Sequence, residues 1–189
     1  MGIVQDRKPP AERLLDVAGE LFMAEGIRAV GIDRLLAEAD AARASLYQSF
    51  GSKEGLVVAY LARQHDADRA GYEHQVARTQ PDLAGRVLLS FDLAAAKASR
   101  RDFRGCLYLN AATEFPGADS PVAGVVAEHR QWLSTTWKDA LDEFDHPSPG
   151  TVVDQLMVLY DGGLAGSKAA RSVDPIHTAR SLAETVLRG

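Results

Sequence analysis

The chain has 189 residues, 46% of them hydrophobic and 25% charged, and a formal net charge of -5. That balance excludes a disordered tail or fibrous repeat, and its acidic sign leaves nucleic-acid binding only to a local surface. Cys106 is the sole cysteine, so no internal disulfide forms, and no apolar run approaches the roughly 20 residues that span a bilayer.

Pro9 and Pro10 end a polar leader, and proline suits a first helical position because that amide has no intrahelical partner. Leu14, Val17, Ala18, Leu21 and Phe22 then recur at intervals of three and four, which predicts a helix over 10–25 stopped by Gly26 in a left-handed conformation. Ile32, Leu35, Leu36 and Ala39 repeat the spacing over about two turns behind Gly31 as N-cap, a length marginal in isolation. Leu46 and Phe50, four apart, define a third short helix. Ser52 is the N-cap of a fourth that starts at Lys53, carries Leu56, Val57, Tyr60 and Leu61, and runs toward Gln75.

A loop at Gln80 to Asp82 precedes an amphipathic helix with Leu83, Val87, Leu88, Phe91 and Ala95, broken by the polar cluster Ser99–Arg104. Gly105 opens the short apolar helix "GCLYLNAATEF". Ser120 and Pro121, an N-cap and first-position pair, launch a long helix to about Phe144. Val126, Leu133, Trp137, Leu141 and Phe144 form one stripe of it, and Val125, His129 and Trp132 a second, so both faces are buried. Thr151 to Lys168 and Asp174 to Leu187 complete the set. No segment alternates with a period of two, and the expectation is an all-α protein of about nine helices.

Three short helices in the first 50 residues, the last two separated by about three residues, fit a helix-turn-helix on a supporting helix. Leu46 and Phe50 anchor the third helix, leaving Arg43, Ala44, Ser45, Tyr47 and Gln48 outward, and the small Ala44 and Ser45 let that face approach bases in a major groove. Arg43 to Lys53 holds two basic and no acidic side chains.

In these residues the chain resembles the TetR family of transcriptional regulators. The resemblance covers residues 11 to 61, through "LLDVAGELFMAEGIRAVGIDRLLAEAD" and "SLYQSFGSKEGLVVAYL", with Leu46, Tyr47, Phe50, Lys53 and Glu54 in register with the family pattern. It implies a helix-turn-helix DNA-binding domain over 1–52 and a helical ligand-binding and dimerisation domain over 53–189. It also implies a homodimer whose recognition helices enter successive major grooves of a palindromic operator in double-stranded DNA. Tyr47 and Lys53 would then contact phosphates, and Arg43, Ser45 and Gln48 bases or backbone, with Arg43 suited to bidentate pairing with guanine.

Two positions depart from that pattern. Gly31 stands where a Thr or Ser is usual at the start of the second helix, and Asp40-Ala41-Ala42 replaces the usual Gly-Val-Ser turn. Asp tolerates a positive φ, whereas Ala42 offers no capping oxygen. Arg7 and Lys8 are candidates for a minor-groove arm.

In the remainder of the chain, Phe91, Leu107, Tyr108, Asn110, Glu114, Trp132 and Tyr160 combine apolar area with a few polar groups, the composition of a small-molecule pocket for an apolar or aromatic effector. Gly162, Gly163 and Gly166 would permit close helix packing, and by the resemblance they fall at the dimer contact. His65 and His74 lie on opposite sides of one helix, and no Cys or His cluster has metal-ligand spacing, so neither metal nor cofactor is expected. The leading reading is a ligand-responsive repressor released by its effector, located in the cytoplasm because no signal peptide precedes it, with no catalytic residues. A helical binding protein with weak or lost DNA binding is the alternative; an enzyme acting through Cys106 or a His-carboxylate pair is the third reading.

Overall fold

The structure is a computed structural model and describes residues 8–100, 103–143 and 148–188. Among them every regular element is α-helical: α1 (Pro10–Glu25), α2 (Ile32–Glu38), α3 (Arg43–Phe50), α4 (Lys53–Thr79), α5 (Leu83–Ala98), α6 (Leu107–Glu114), α7 (Pro121–Asp142), α8 (Pro149–Ala170) and α9 (Asp174–Arg188). Arg7, Phe144 and part of the Ser99–Arg104 cluster lie outside the described residues. None of these helices is long and apolar enough to cross a membrane.

The caps explain the boundaries. Pro10 starts α1, and Gly26 ends it with φ 94° and ψ 155°, a positive φ but an extended rather than left-handed helical one. Ser52 Oγ accepts from Gly55 N at 2.9 Å, Asp82 Oδ1 from Gly85 N at 2.7 Å and Ser120 Oγ from Val122 N at 3.2 Å, fixing the starts of α4, α5 and α7. Helix α4 outruns its expected end by four residues, to Thr79, with Gln80 as its C-cap in the left-handed region, because nothing in "HQVART" breaks a helix.

One apolar cluster joins Leu14, Leu21, Phe22, Leu35, Leu46, Leu56 and Leu61 of α1–α4 to Tyr108, Ala111, Val122 and Val126 of α6 and α7. The first four helices therefore rest directly on the remainder of the chain. A second cluster fills the space among α5, α7, α8 and α9, around Phe91, Trp137 and Leu156, all fully buried. Trp137 Nε1 donates to Ser90 Oγ at 3.0 Å, which satisfies the one polar atom of that indole.

Helix α9 lies against α8 at the glycines. A Cβ on Gly163 would stand 2.9 Å from Ala179 Cβ and 3.2 Å from Ile176 Cα, and one on Gly166 2.9 Å from Pro175 Cβ, whereas Gly162 faces open space. Gly163 and Gly166 thus serve a contact within the chain. Gly163→Ala should destabilise the protein by about 1–2 kcal/mol, overpacking outweighing the gain in helix propensity. Gly124→Ala, which meets nothing within 4 Å on α7, should stabilise by up to about 1 kcal/mol. Urea unfolding of both variants checks the contrast, and equal effects would contradict it.

Candidate nucleic-acid interface

Helix α3 is mounted by its apolar side. Leu46 is fully buried and Phe50 packs on the same cluster, while Tyr47 is 45% exposed. Arg43, Ala44, Gln48 and Ser49 are also exposed and Ser45 is half-buried. Ala42 is the N-cap and supplies no side-chain hydrogen bond, as its methyl group requires. Of the outward residues expected from the sequence, Arg43, Ala44, Tyr47 and Gln48 are exposed and Ser45 only in part, and Arg43 forms an ion pair with Asp33 of α2.

The turn before α3 combines a positive φ at Asp40 with a clamp by Arg13. Asp40 takes φ 44°, the left-handed conformation that Asp tolerates at a modest cost. Arg13 of α1 reaches across to it: Nε donates to Ala39 O at 2.8 Å, Nη2 to Asp40 O at 2.5 Å and Nη1 to Lys8 O at 2.7 Å. The carbonyls of Ala39 and Asp40 end α2, where orphan acceptors need partners, and that of Lys8 lies just before α1, so one guanidinium fork ties the two helices together. Arg34 fastens α2 again, donating to Glu25 of α1 at 2.5 Å and to Glu38 at 2.8 Å. On the page of sequence, Arg13 is one more cation on a polar face, which is why it gave no signal.

The loop between α1 and α2 is gripped from two sides. Glu114, the last residue of α6, accepts from Ile27 N at 3.1 Å and Arg28 N at 2.6 Å. Lys53 Nζ donates to Ile27 O at 2.7 Å and Arg28 O at 3.4 Å. Burial pulls the Lys53 pKa down, and the Glu114 carboxylate opposes that pull. The lysine expected to reach a phosphate thus holds loop carbonyls in the free protein, and Glu114, expected in an effector pocket, ties α6 to the first helices. Ser120 Oγ donates to Glu54 Oε1 at 2.8 Å and Arg28 lies 5.5 Å from the Phe115 ring, completing this seam.

Comparison with known proteins agrees with this arrangement. Residues 14–60 match the family described as bacterial regulatory proteins, tetR family. The crystal structure of SCO4454, a TetR-family transcriptional regulator from Streptomyces coelicolor, superposes with a TM-score of 0.86 at 34% identity, covering 95% of each chain. The chain belongs to the TetR family of transcriptional regulators. This regulator is also 23% identical over 180 residues to the HTH-type transcriptional regulator YjdC of Escherichia coli, covering 92% of each. Its fold matches the reduced form of Escherichia coli NemR with a TM-score of 0.81 at 21% identity, over 93% of this chain and 95% of that one.

In this TetR-family protein the seven residues expected to line one effector pocket fall into separate places. Leu107, Asn110 and Glu114 border a cleft between α1 and α6. Phe91 and Tyr160 pack edge to face at 5.2 Å beside Trp137. Tyr108 stacks on His129 at 3.5 Å, and Trp132 meets His65 and Tyr72 edge-on at 5.7 and 5.8 Å. Tyr108 OH donates to Asp68 Oδ2 at 3.2 Å, and burial raises its pKa far beyond the ordinary phenol range. Cys106, packed against two apolar clusters, has its thiol pKa raised by burial, which disfavours the nucleophilic thiolate.

His65 and His129 form a buried pair that spacing of 64 residues concealed. Their Nδ1 atoms are 3.2 Å apart, one ring donating and the other accepting. Burial, then the charge of His65, lowers the His129 pKa from 6.5 to about 3, with Lys97 and Arg130 adding in the same direction. The unfolded chain takes up this proton near its ordinary pKa while the folded one refuses it. The contribution to stability is therefore whole above pH 6.5 and falls as pH drops toward 3, by about 2 kcal/mol at pH 5. His129→Gln should flatten the loss of stability between pH 7 and pH 5; identical pH slopes in the two proteins would contradict this. Among the described residues no group of three or more His, Cys, Asp or Glu is placed to hold a metal.

Proposed function

We propose that this regulator is a homodimeric repressor that binds a palindromic operator through α3 and leaves it when a small apolar or aromatic effector binds. The observation that carries the reading is the outward face of α3, where Tyr47 is 45% exposed next to a fully buried Leu46. With Leu46 holding the helix from the inside, the exposed Tyr47 hydroxyl and the small side chains of Ala44 and Ser45 leave a face that could reach phosphates and base edges. Residues 1–52 would form the DNA-binding unit and 53–189 the effector and dimerisation unit. Arg43, Ala44, Ser45, Tyr47 and Gln48 would meet the duplex, and Lys53 would do so by sharing its ammonium between the loop carbonyls and a phosphate.

The exposed face of α8 and α9 supports dimerisation. Val158 is 72% and Leu182 50% exposed, and they border a shallow apolar groove with Gly162 and Pro175. The effector acts by preferring the arrangement that fits DNA less well, and shifts the population by no more than that preference. Helix α4, about 40 Å long by its 27 residues, joins the two units and would carry the shift. The buried, paired Tyr108 and His129 side chains and the raised thiol pKa of Cys106 support regulation without catalysis, and a regulator of this kind would work in the cytoplasm.

Gel shift on the DNA upstream of the protein's own reading frame tests the proposal. Tyr47→Phe should weaken binding to every sequence about three- to tenfold, and Arg43→Ala should relax discrimination at one base position by about 1–3 kcal/mol. The alternative, a helical binding protein that has lost DNA binding, draws on Gly31 and Ala42, neither of which gives a hydroxyl to a phosphate or a helix cap. Absence of a shift at low salt would favour it.

A further inference from the structure

The cleft between the end of α1 and α6 has a volume of about 230 Å³, room for roughly seven or eight waters at about 30 Å³ each. Phe22, Met23 and Leu107 give it an apolar lining, and Arg104 and Lys168 bring two cations to it. Its carboxylates have other partners: Glu25 is paired with Arg34, and Glu114 accepts from two loop amides with the Lys53 ammonium interacting with its charge. Among the described residues, neither Arg104 nor Lys168 has an ion-pair partner. Arg104 and Lys168 are therefore cations of the cleft without a carboxylate of their own.

Lys168 is also held in place. Its stem lies on Gly105, where φ is 97° and a Cβ would stand 2.6 Å from Lys168 Cδ. Its Nζ donates to Asn110 Oδ1 at 2.6 Å, while Asn110 Nδ2 donates to Arg104 O at 3.1 Å. A glycine at positive φ and a doubly bonded amide thus direct an ammonium without giving it a counter-charge. That pre-organisation removes part of the ordering cost of binding, and a charge-assisted bond to an anion is the strong interaction it can make.

We propose that this cleft binds a small amphipathic organic anion, its carboxylate on Lys168 and Arg104 and its apolar body against Phe22, Met23 and Leu107. The opposite wall is the last turn of α1 with Gly26 and Ile27, the loop that Glu114 and Lys53 grip, so an occupant bears on the mounting of the DNA-binding helices. This inference rests on the regulator reading for its consequence but not for the binding itself.

The full-length protein should be titrated calorimetrically at low salt with benzoate and hexanoate, and with benzamide and hexanamide as neutral counterparts. At least one acid should bind about tenfold or more tightly than its amide, and Lys168→Met and Asn110→Asp should each lose about that factor. Equal affinity of acid and amide, no binding of either acid, or variants that bind like the parent would overturn the site. Operator gel shifts with and without the acid keep the two readings apart. A protein that binds the acid but never DNA refutes the regulator and leaves the site standing, and one that binds both without mutual effect refutes the link to the loop.

Discussion

Replacing Arg13 by Ala is expected to weaken operator binding about hundredfold while leaving the core of α5, α7, α8 and α9 folded. The guanidinium donates to three carbonyls, two of them at the end of α2 where Asp40 turns the chain into α3. Charge-assisted bonds of this kind are worth about 1.5–3 kcal/mol each when buried. These are partly exposed and water replaces some of the loss, so about 2–3 kcal/mol in total is the reasonable sum. That energy holds α3 at its angle, and a recognition helix freed at its N-terminal turn pays for re-ordering on each binding event. Arg13→Lys should recover little, because one ammonium does not match three acceptors spread around a planar fork. Affinity titration of the parent and both variants is the check, and a change of less than about threefold for the Ala variant would show that α3 is held by Leu46 and Phe50 alone.

Loss of Glu114 is the second large effect. Glu114→Ala leaves the amides of Ile27 and Arg28 without their acceptor and removes the carboxylate that favours charged Lys53. A cost of about 2 kcal/mol is expected, which in a protein of this size lowers the Tm by about 4–8 °C. Glu114→Gln keeps an acceptor oxygen and should lose less than half as much. Amide exchange locates the effect: protection at Ile27 and Arg28 should fall in the Ala variant and persist in part in the Gln variant. Unchanged exchange at both amides would mean that α6 does not grip the loop in solution.

The helices were legible because each announces itself locally. Pro10, Ser52, Asp82 and Ser120 with Pro121 mark starts by chemistry confined to one turn, and apolar spacing marks the buried faces. The outward side of α3 followed from Leu46 and Phe50 for the same reason. What the sequence concealed is long-range and polar. Arg13 acts 26 and 27 residues away, Glu114 86 and 87 residues away, and His65 finds His129 across 64. No periodicity encodes such pairings, since a single polar side chain on a mostly polar face has no spacing to read.

The glycines of α8 show the same limit from the other side. Small residues at 162, 163 and 166 signal a close approach, and the structure gives α9 as the neighbour at Gly163 and Gly166. The sequence tells that a helix comes near, not which one. Likewise the mixture of aromatic and polar residues between 91 and 160 suggested one cavity, whereas Phe91, Tyr108, Trp132 and Tyr160 pack against other rings and Leu107, Asn110 and Glu114 face α1.

Methylation-interference footprinting on the upstream DNA tests the central claim most directly, because it reads which groove the protein occupies. Two protected major-groove patches in a palindromic sequence, centred about one helical turn apart and each altered at one base pair by Arg43→Ala, are the result expected of a dimer presenting α3. A footprint confined to one patch, or one that Arg43→Ala and Tyr47→Phe both leave unchanged, would contradict it.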